Sequence, residues 1–488
     1  MRVFALAINR TPVVLCVKHM VKYDFVILGQ GSAAFAAAIR ADELGIKTAM
    51  VGDGVTAGTV LGGTCVNVGC VPSKRLLNVG VELRNAFERA RGTGGRRRFD
   101  LAKVMEGKDE LVGALRREKY SEVLKALGNV SYYGGRGRFV SKDAIQVGRE
   151  RIEGDKFLVA TGARADVPPI AGIEKVSYLT NEEALGLKRA PKTMCVIGGR
   201  ALGLEFAQMF ALFGTKVTLL QRSGRILPED EPEVSEALTR YMRGYGIDIY
   251  AGAKVISVGQ SRRKKVVAFE SGGSRRKLEV DELLMATGRR PNTESIGLDR
   301  AGVKVDDSGF VIVDETMKTS AENVWAAGDA TGEPMLEPLA AKEGAVAVDN
   351  AFGRGPRKID FMEVPSAVFT YPEVARVGLT EVEVQRRGIA CGCTTVYLDK
   401  VPKARIMDDT RGLVKMVIDR RTKRILGVHM VAPHAADLIH EGVLAVKFGL
   451  TIDDIIDTVH VFPTLSEAVK LAALSFYHDV DKLSCCVQ

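Results

Sequence analysis

The sequence lacks the features that mark membrane and secreted proteins. Its apolar runs near the amino terminus, 3–8 and 13–17, fall well short of the roughly 18 residues that a membrane-spanning helix needs. Eight cysteines among 488 residues are too few for a disulfide-rich secreted framework. We therefore expect a cytoplasmic enzyme of two or three domains, with a weak signal peptide and a start at Met20 as open alternatives.

The positive charge is also not arranged as in nucleic-acid-binding proteins. The formal net charge is +9, but the basic clusters at 96–98 and 262–265 have no aromatic residues between the charges. We interpret them as solvated surface and expect no nucleic-acid partner. A hydrophobic content of 46% and a charged content of 26% are ordinary for a folded enzyme and exclude a fibrous or disordered chain.

Two cysteines lie five residues apart in the stretch GGTCVNVGCVPSK, residues 62–74. Five residues of ideal helix rise about 7.5 Å, whereas disulfide-bonded Cα atoms lie about 4.4–6.8 Å apart. We therefore expect irregular backbone around Cys65 and a helix that begins near Cys70. The helix N-terminus and Lys74 would lower the pKa of the Cys70 thiol. A redox pair is favoured, with a zinc site, which would need four ligands, and a static disulfide as alternatives.

A glycine loop typical of dinucleotide binding precedes this stretch. Gly29, Gly31 and Ala34 follow an apolar strand and open an alanine-rich helix, before a second strand at 47–51. The glycines let the backbone approach a pyrophosphate at the helix N-terminus. The acidic residue expected to hold a ribose is displaced to Asp53.

A second βαβ pattern contains Gly198 and Gly203, with Arg200 in place of the middle glycine. The strand that follows ends in Gln221 and Arg222 rather than in the acid that would hold the 2′-hydroxyl of NAD. A neutral residue followed by arginine suits a 2′-phosphate, so NADP is favoured. The alternative is that Arg222 and Arg225 are ordinary surface charges. Two such units imply two bound nucleotides.

The remaining patterns predict how the chain is organised. Charged and apolar residues at helical spacing over 76–122 predict helices that return Tyr120 towards the core. The Ala-Thr-Gly sequence at 160–162 recurs at 286–288, and an apolar strand ends at Ala327-Gly328-Asp329. From about residue 357 the composition indicates a third domain without a glycine loop.

From about Tyr23 to its end, the chain resembles the pyridine nucleotide-disulphide oxidoreductases, class I, because of the GGTCVNVGCVPSK stretch. Tyr120 and the terminal Cys485 and Cys486 make it similar to the mercuric reductase branch, as a catalytic core without the N-terminal metal-binding domain. The resemblance implies an α/β fold with two Rossmann-like domains and an α+β dimerisation domain. The implied bounds are an extension at 1–20, an FAD domain at 21–163 and 287–355, an NADPH domain at 164–286, and a dimerisation domain at 356–488.

The resemblance also implies the site residues. The catalytic residues would be Cys65, Cys70, Lys74, Glu205, Tyr120, Cys485 and Cys486, of which the four cysteines would bind metal. Lys74 and Glu205 would form an ion pair beside the flavin. The cofactor contacts would be Gly29, Gly31, Ala34, Asp53, Gly63, Thr64, Thr161, Gly162, Ala327, Gly328, Asp329, Gly198, Gly203, Gln221, Arg222 and Gly288.

The function implied is the reduction of Hg(II) to Hg(0) by NADPH through FAD, in mercury detoxification. Hg(II) would arrive as a thiol complex and would be delivered by the terminal cysteines across a homodimer. No membrane partner is expected.

Phe462 departs from the pattern of the disulfide reductases. Those enzymes resemble one another in a His-x-His-Pro-Thr sequence, whereas this chain reads His460-Val461-Phe462-Pro463. Phenylalanine cannot supply the proton that disulfide cleavage needs, and the reduction of Hg(II) needs none. A thioredoxin-reductase-like or other disulfide reductase is therefore the alternative, and a flavoprotein that only sequesters metal is the second. Cys16, Cys195, Cys391 and Cys393 read as apolar or surface residues, and Cys391-Gly392-Cys393 stands too isolated in the sequence to indicate a metal site.

Overall fold

The computed structural model describes residues 21–52, 60–89 and 100–484. The extension 1–20, Asp53, the basic cluster 96–98 and the terminal Cys485 and Cys486 lie outside them.

A seven-stranded sheet carries the first glycine loop. Its strand order is β3-β2-β1-β6-β5-β4, with β16 paired in parallel to β6. The strands are β1 Val21–Leu28, β2 Thr48–Gly52, β3 Val130–Gly134, β4 Gly137–Ser141, β5 Ala144–Val147, β6 Glu150–Val159 and β16 Val324–Ala326. Since β16 comes from far along the chain, two separate segments build this sheet, as the expected split of the FAD domain requires.

A four-stranded parallel sheet carries the second glycine loop, in the order β10-β9-β8-β14. It consists of β8 Thr193–Ile197, β9 Lys216–Gln221, β10 Asp248–Ala251 and β14 Glu282–Met285. An antiparallel sheet lies between β10 and β14 in the chain, made of β11 Lys254–Ser261, β12 Lys264–Ser271 and β13 Ser274–Val280. A short pair joins β7 Ala163–Ala165 to β15 Arg289–Pro291.

The carboxy-terminal part is built on a five-stranded antiparallel sheet in the order β17-β18-β21-β20-β19. Its strands are β17 Ser366–Val368, β18 Glu373–Gly378, β19 Cys391–Tyr397, β20 Leu413–Asp419 and β21 Ile425–Ala432. Strand β19 is the edge next to β20. This region has its own buried apolar cluster, which includes Val414, Met430 and Ala472.

Helices pack on all three principal sheets. They are α1 Ser32–Glu43, α2 Thr64–Val68, α3 Cys70–Arg89, α4 Leu101–Arg116, α5 Glu122–Ala126, α6 Asn181–Leu185, α7 Ala201–Leu212, α8 Pro232–Gly244, α9 Glu337–Ala351, α10 Glu381–Arg386, α11 Pro402–Ile406, α12 Ala435–Phe448, α13 Ile452–Asp457 and α14 Glu467–Leu474. No helix in the described ranges combines the length and the apolar character needed to cross a bilayer.

The α/β fold class with two nucleotide-binding units and an α+β carboxy-terminal part is confirmed. Each glycine loop joins a buried parallel strand to a helix: β1 leads to α1, and β8 leads to α7. The predicted strands at 47–51 and 216–220 are found as β2 and β9. The exact domain bounds remain predictions.

Candidate active site

The two cysteines of the central stretch lie on successive helices, and one expectation about them is wrong. Cys65 lies inside the short helix α2, not in irregular backbone, whereas Cys70 begins α3 as expected. The break falls at Gly69, with φ −130° and ψ −115°. A Cβ there would lie 2.8 Å from the carbonyl oxygen of Thr64 and 3.1 Å from the Cα of Cys65. Glycine therefore lets the chain reverse closely enough to bring the two thiols together.

The two thiols differ in acidity because they share a hydrogen bond. The thiol of Cys65 donates to Cys70, which, with the positive charge of Lys74, lowers the pKa of Cys70 to about 7. The same hydrogen bond, together with burial, raises the pKa of Cys65. Both are free cysteines; Cys70 is exposed, and Cys65 is half-buried. The arrangement provides one thiolate near neutral pH and one thiol that keeps its proton.

An ion pair connects the thiol region to the second nucleotide-binding unit. Nζ of Lys74 donates to Oε2 of Glu205 on α7 at 2.6 Å, the pair that the family resemblance implied. The backbone N–H of Phe369 donates to Oε1 of Glu205 at 3.0 Å, and Nζ of Lys74 lies 4.7 Å from the centre of the Phe369 ring. The buried carboxylate of Glu205 thus has a partner on each oxygen and fixes Lys74 next to Cys70.

Tyr120 returns to the thiol region on a single π-helical turn, Arg117–Ser121, after α4. Its ring meets that of Phe35 edge-on, with centroids 4.8 Å apart. Burial raises the pKa of its hydroxyl, and a hydrogen bond with Ser32 opposes that shift. The negative charges of Glu337 and of the Cys70 thiolate also raise the pKa of Tyr120. The predicted return of Tyr120 towards the core is therefore confirmed, and its hydroxyl lies at the start of α1.

The two glycine loops have the same close approach between backbone segments. At Gly29 φ is +144°, and a Cβ would lie 2.1 Å from the carbonyl oxygen of Ala160. At Gly198 φ is +118°, and a Cβ would lie 2.0 Å from the carbonyl oxygen of Ala286. Any side chain would therefore push the loop away from the neighbouring strand. Both loops end at a helix N-terminus, which favours anions, and so both fit the pyrophosphate of a dinucleotide.

Further residues at the first loop fit FAD. Gly31 and Gly63 approach closely, since a Cβ on Gly63 would lie 2.8 Å from the Cα of Gly31. Oγ1 of Thr161 is buried and has no hydrogen-bond partner among the described residues. Oδ2 of Asp329 lies 3.4 Å from Nε of Arg289, and burial raises the pKa of Asp329 despite that cation. The unpaired hydroxyl of Thr161 and the buried carboxylate of Asp329 would both be stabilised by hydrogen bonds to a polar ligand.

The other predicted FAD contacts within the described residues lie in α1 and α2 and after strands β6 and β16. Ala34 is buried in α1, and Ala327 and Gly328 follow β16. Thr64 begins α2, and Nη2 of Arg289 donates to its Oγ1 at 3.4 Å. Gly162 follows β6 with φ +68°. Asp53 lies outside the described residues.

At the second glycine loop, the two residues predicted to contact the nucleotide after β9 differ in their accessibility. Gln221 is buried, and its Oε1 accepts from the backbone N–H of Gly199 at 2.9 Å. Gln221 therefore supports the loop, and Arg222, which is exposed, is the one of the two that is available to a ligand. Arg200 at the start of α7 makes an ion pair with Glu229. Gly203, on α7, and Gly288, after β14, also lie in this unit; a Cβ on Gly203 would be 1.9 Å from the carbonyl oxygen of Gly198.

The segment around Phe462 provides no acid at that position. Phe462 is 52% exposed, and Val459 and Val461 are 84% and 75% exposed. Nε2 of His460 forms a 2.8 Å contact with Glu441. Oε2 of Glu467 accepts from the backbone N–H of Thr464 at 3.2 Å. Exposed apolar side chains at 459, 461 and 462 therefore lie next to the pair of His460 and Glu441, and residue 462 itself cannot donate a proton.

Sequence reasoning missed three residues next to the predicted site. Arg289 pairs with Asp329, and Phe369 contacts both members of the Lys74 and Glu205 pair. The carboxylate of Glu337, in the first turn of α9, acts electrostatically on both thiols. Arg289 directly follows the Ala-Thr-Gly at 286–288, a signal that could have indicated it. Phe369 and Glu337 belong to no local motif, because each reaches the site from a distant part of the chain.

Comparisons with known proteins agree with this geometry. Residues 23–344 match the family model described as pyridine nucleotide-disulphide oxidoreductase, and residues 364–473 match the model of that family's dimerisation domain. A mercuric reductase of Staphylococcus aureus is 42% identical over 95% of this chain and 84% of its own length. A mercuric reductase of Streptomyces lividans is 38% identical, with 95% of this chain and 98% of that protein covered.

A solved structure of similar fold is the HOCl-induced flavoprotein disulfide reductase from Escherichia coli. It matches with a TM-score of 0.83 and 30% identity, covering 93% of this chain and all of that one.

Proposed function

Because this chain belongs to the pyridine nucleotide-disulphide oxidoreductases, and within them to the mercuric reductases, we propose that it reduces Hg(II) to Hg(0) with electrons from NADPH. It is an FAD-dependent oxidoreductase that uses NADPH. The observation that carries the proposal is the Cys65 and Cys70 pair, in which the pKa of one thiol is lowered to about 7 beside a fixed lysine.

Two thiolates at this position suit the chemistry of Hg(II), because soft sulfur ligands bind soft cations. FAD would supply the redox chemistry by carrying two electrons from NADPH to the bound metal, and Gly29, Gly31 and Thr161 are among the residues that would hold it. Cys70 binds Hg(II) as the thiolate already present, and Cys65 binds it after losing its proton. The overall reaction, NADPH + Hg(II) → NADP⁺ + H⁺ + Hg(0), leaves both sulfurs as they began.

Lys74 and Glu205 keep the charge beside the two thiols unchanged while Hg(II) binds and is reduced. The lysine stabilises the Cys70 thiolate, and the glutamate, bound at both oxygens, keeps the lysine in place. Because residue 462 is phenylalanine, this position has no acid to protonate the thiolate that leaves when a disulfide is reduced. The neighbouring His460 already contacts Glu441. Similarity to the E. coli flavoprotein disulfide reductase makes disulfide reduction the second candidate.

We propose that Hg(II) reaches the pair as a thiol complex and is transferred by exchange from Cys485 and Cys486 of the partner subunit. The match to the dimerisation domain supports a homodimer. The exposed apolar strip of Val459, Val461 and Phe462 supports it too, because a partner would bury this surface. Exchange between thiolate pairs would move the metal without releasing it. A protein that sediments as a monomer would contradict this delivery.

We propose a cytoplasmic role in mercury detoxification, since the cytoplasm keeps thiols reduced. We also propose the domain bounds given above: FAD at 21–163 and 287–355, NADPH at 164–286 and dimerisation at 356–488. Limited proteolysis of the purified protein, with the cleavage sites mapped, tests these bounds.

The function is tested by measuring NADPH oxidation with HgCl₂ and excess thiol, in parallel with oxidised glutathione, lipoamide and thioredoxin. We expect turnover with mercury and release of Hg(0). Turnover with a disulfide instead would favour the second candidate. A protein that binds Hg(II) stoichiometrically and then stops would be a sequestering flavoprotein.

The preference for NADPH is proposed from Arg222, which is exposed at the end of β9. Arg222→Gln should lower kcat/KM for NADPH and leave that for NADH nearly unchanged, because only NADPH carries a 2′-phosphate. The matched control is Arg240→Gln on α8. A higher kcat/KM with NADH than with NADPH in the unsubstituted enzyme would contradict the assignment.

A further inference from the structure

A second pair of cysteines lies on the edge strand of the carboxy-terminal sheet. Cys391 and Cys393 are two residues apart on β19, and side chains at that spacing point to the same face of a strand. Gly392 between them faces the other way, since a Cβ there would lie 3.2 Å from Ile418 and 3.3 Å from Phe476. The two thiols therefore share the face opposite α14.

The helix that covers this face brings a carboxylate to the thiols. Glu381 is the first residue of α10, ten positions before Cys391 in the sequence. One carboxylate oxygen of Glu381 and the two Sγ atoms all lie within 4.8 Å of one another, and all three residues are half-buried. The sequence alone did not indicate a site here, because it shows only the two cysteines; the fold adds the third group.

We propose that Glu381, Cys391 and Cys393 form a binding site for a thiophilic divalent cation, of the class of Cd(II), Zn(II) and Hg(II). Two metal–sulfur bonds of about 2.3 Å at a tetrahedral metal place the sulfurs roughly 3.8 Å apart, which is compatible with the observed separation. Thiolate ligands select soft cations over Mg²⁺ and Ca²⁺. A water molecule or a small thiol would complete a tetrahedral set.

Neighbouring groups hold Glu381 at the thiols. Nζ of Lys415 donates to Oε2 of Glu381 at 2.9 Å, and Nε2 of Gln385 donates to the other oxygen at 3.2 Å and lies 4.0 Å from the Sγ of Cys391. Lys415 also pairs with Glu231 and Glu233. It therefore keeps two carboxylate partners when Glu381 turns towards a cation.

The charge around the thiols favours a cation. Glu231, Glu233 and Glu381 surround the single ammonium of Lys415, so this group of side chains is net negative. Binding forms two metal–sulfur bonds and breaks two S–H bonds, whose protons leave to solvent, and no electrons are transferred. The site does not depend on the proposed reaction.

The test uses full-length, FAD-loaded protein in which Cys16, Cys65, Cys70, Cys485 and Cys486 are replaced by serine. CdCl₂ is added anaerobically after removal of reductant. We expect one Cd(II) per chain, counted by equilibrium dialysis, and a thiolate-to-cadmium absorption band in the ultraviolet. Adding Cys391→Ser and Cys393→Ser should remove both signals. Glu381→Gln should weaken binding at least tenfold.

Cys195→Ala in the same background is the matched control, because Cys195 is fully buried in β8 and lies outside the cluster; its removal should leave Cd(II) binding unchanged. The flavin absorbance and the melting temperature of each variant show that it is folded. The proposal is overturned if the starting background binds no Cd(II), if binding survives the two serine substitutions, or if Glu381→Gln binds as tightly as its parent.

Discussion

The two cysteine pairs of the described residues have the same side chains but opposite electrostatic surroundings. Cys70 begins a helix beside Lys74, and its pKa is lowered to about 7. Cys393 lies on a strand beside Glu381, and its pKa is raised to about 12. A cation and a donated hydrogen bond favour a thiolate that reacts at neutral pH, whereas burial and a carboxylate keep the proton until a metal displaces it.

Cysteine spacing alone therefore does not decide the chemistry of a cysteine pair. Cys65 and Cys70, five residues apart, come together because Gly69 lets two successive helices meet. Cys391 and Cys393, two residues apart, come together because alternate side chains of a strand share one face. We infer that the charge of the neighbouring group, Lys74 in one pair and Glu381 in the other, separates the proposed redox pair from the proposed binding site for a thiophilic cation. Each difference can be tested by substitution.

The largest effect is expected when the catalytic pair is broken. Cys65→Ala and Cys70→Ala should each abolish mercury-dependent NADPH oxidation, because Hg(II) would lose one of two thiolate ligands at the flavin. Cys195→Ala, which removes a buried thiol far along the chain from either pair, should retain activity. Mercury-dependent turnover in either of the first two variants would place the reaction elsewhere.

The terminal pair should have the next largest effect. Replacing Cys485 and Cys486 together with alanine should leave the reduction of the flavin by NADPH unchanged, and should slow turnover of thiol-bound Hg(II) at least tenfold, about 1.4 kcal/mol in barrier. Stopped-flow absorbance separates the two steps. Unchanged turnover with excess thiol would show that delivery does not use this tail.

A pH titration tests the surroundings of the first pair. In the reduced enzyme, alkylation of Cys70, followed by mass spectrometry, should be half-maximal near pH 7 and should fall as the pH drops through that value, because the thiolate is then protonated. Lys74→Met should raise the midpoint by roughly 1 unit, the size expected when a nearby opposite charge is lost.

Lys125→Met is the control for this titration, since Lys125 is 71% exposed and pairs with Glu122. It should leave the midpoint where it is. An equal shift in both variants would mean that overall charge, rather than the position of Lys74, sets the pKa of Cys70.

The smallest effect is expected at the second pair. Glu381→Gln should lower the pKa of Cys393 and speed its alkylation at one alkaline pH by about threefold, which corresponds to roughly half a pH unit. The effect is smaller than at Cys70 because burial, the largest cause of the raised pKa, remains. A slower reaction would reverse the sign that we assign to this carboxylate.

The local patterns of the sequence predicted a large part of the fold and the chemistry. Glycine loops after apolar strands predicted both nucleotide-binding units, since only glycine fits where Gly29 and Gly198 touch the neighbouring strand. The family stretch predicted the thiol pair. The local backbone geometry differed from expectation at one place. The backbone at Cys65 is helical, and the irregular backbone lies four residues later, at Gly69.

The contacts between distant segments were beyond the reach of local patterns. Gln221 turned inward to the loop, and Glu381 turned towards the cysteines of β19. Phe369 completed the partners of Glu205. In each case the partner is decided by how sheets and helices pack, which no spacing along the chain encodes.

The sequence by itself determined which residue types carry the chemistry and which backbone loops can bind phosphate, because those properties depend on side-chain type and on neighbours within a few residues. Lys74, four residues after Cys70, was predictable from the sequence as a cation that lowers the pKa of Cys70, but only the tertiary structure decided the effects of burial and of acidic groups on each thiol. A pKa is set by burial and by charges a few ångströms away, and the acidic groups that act on these thiols come from α7, α9 and α10, which the fold brings to them.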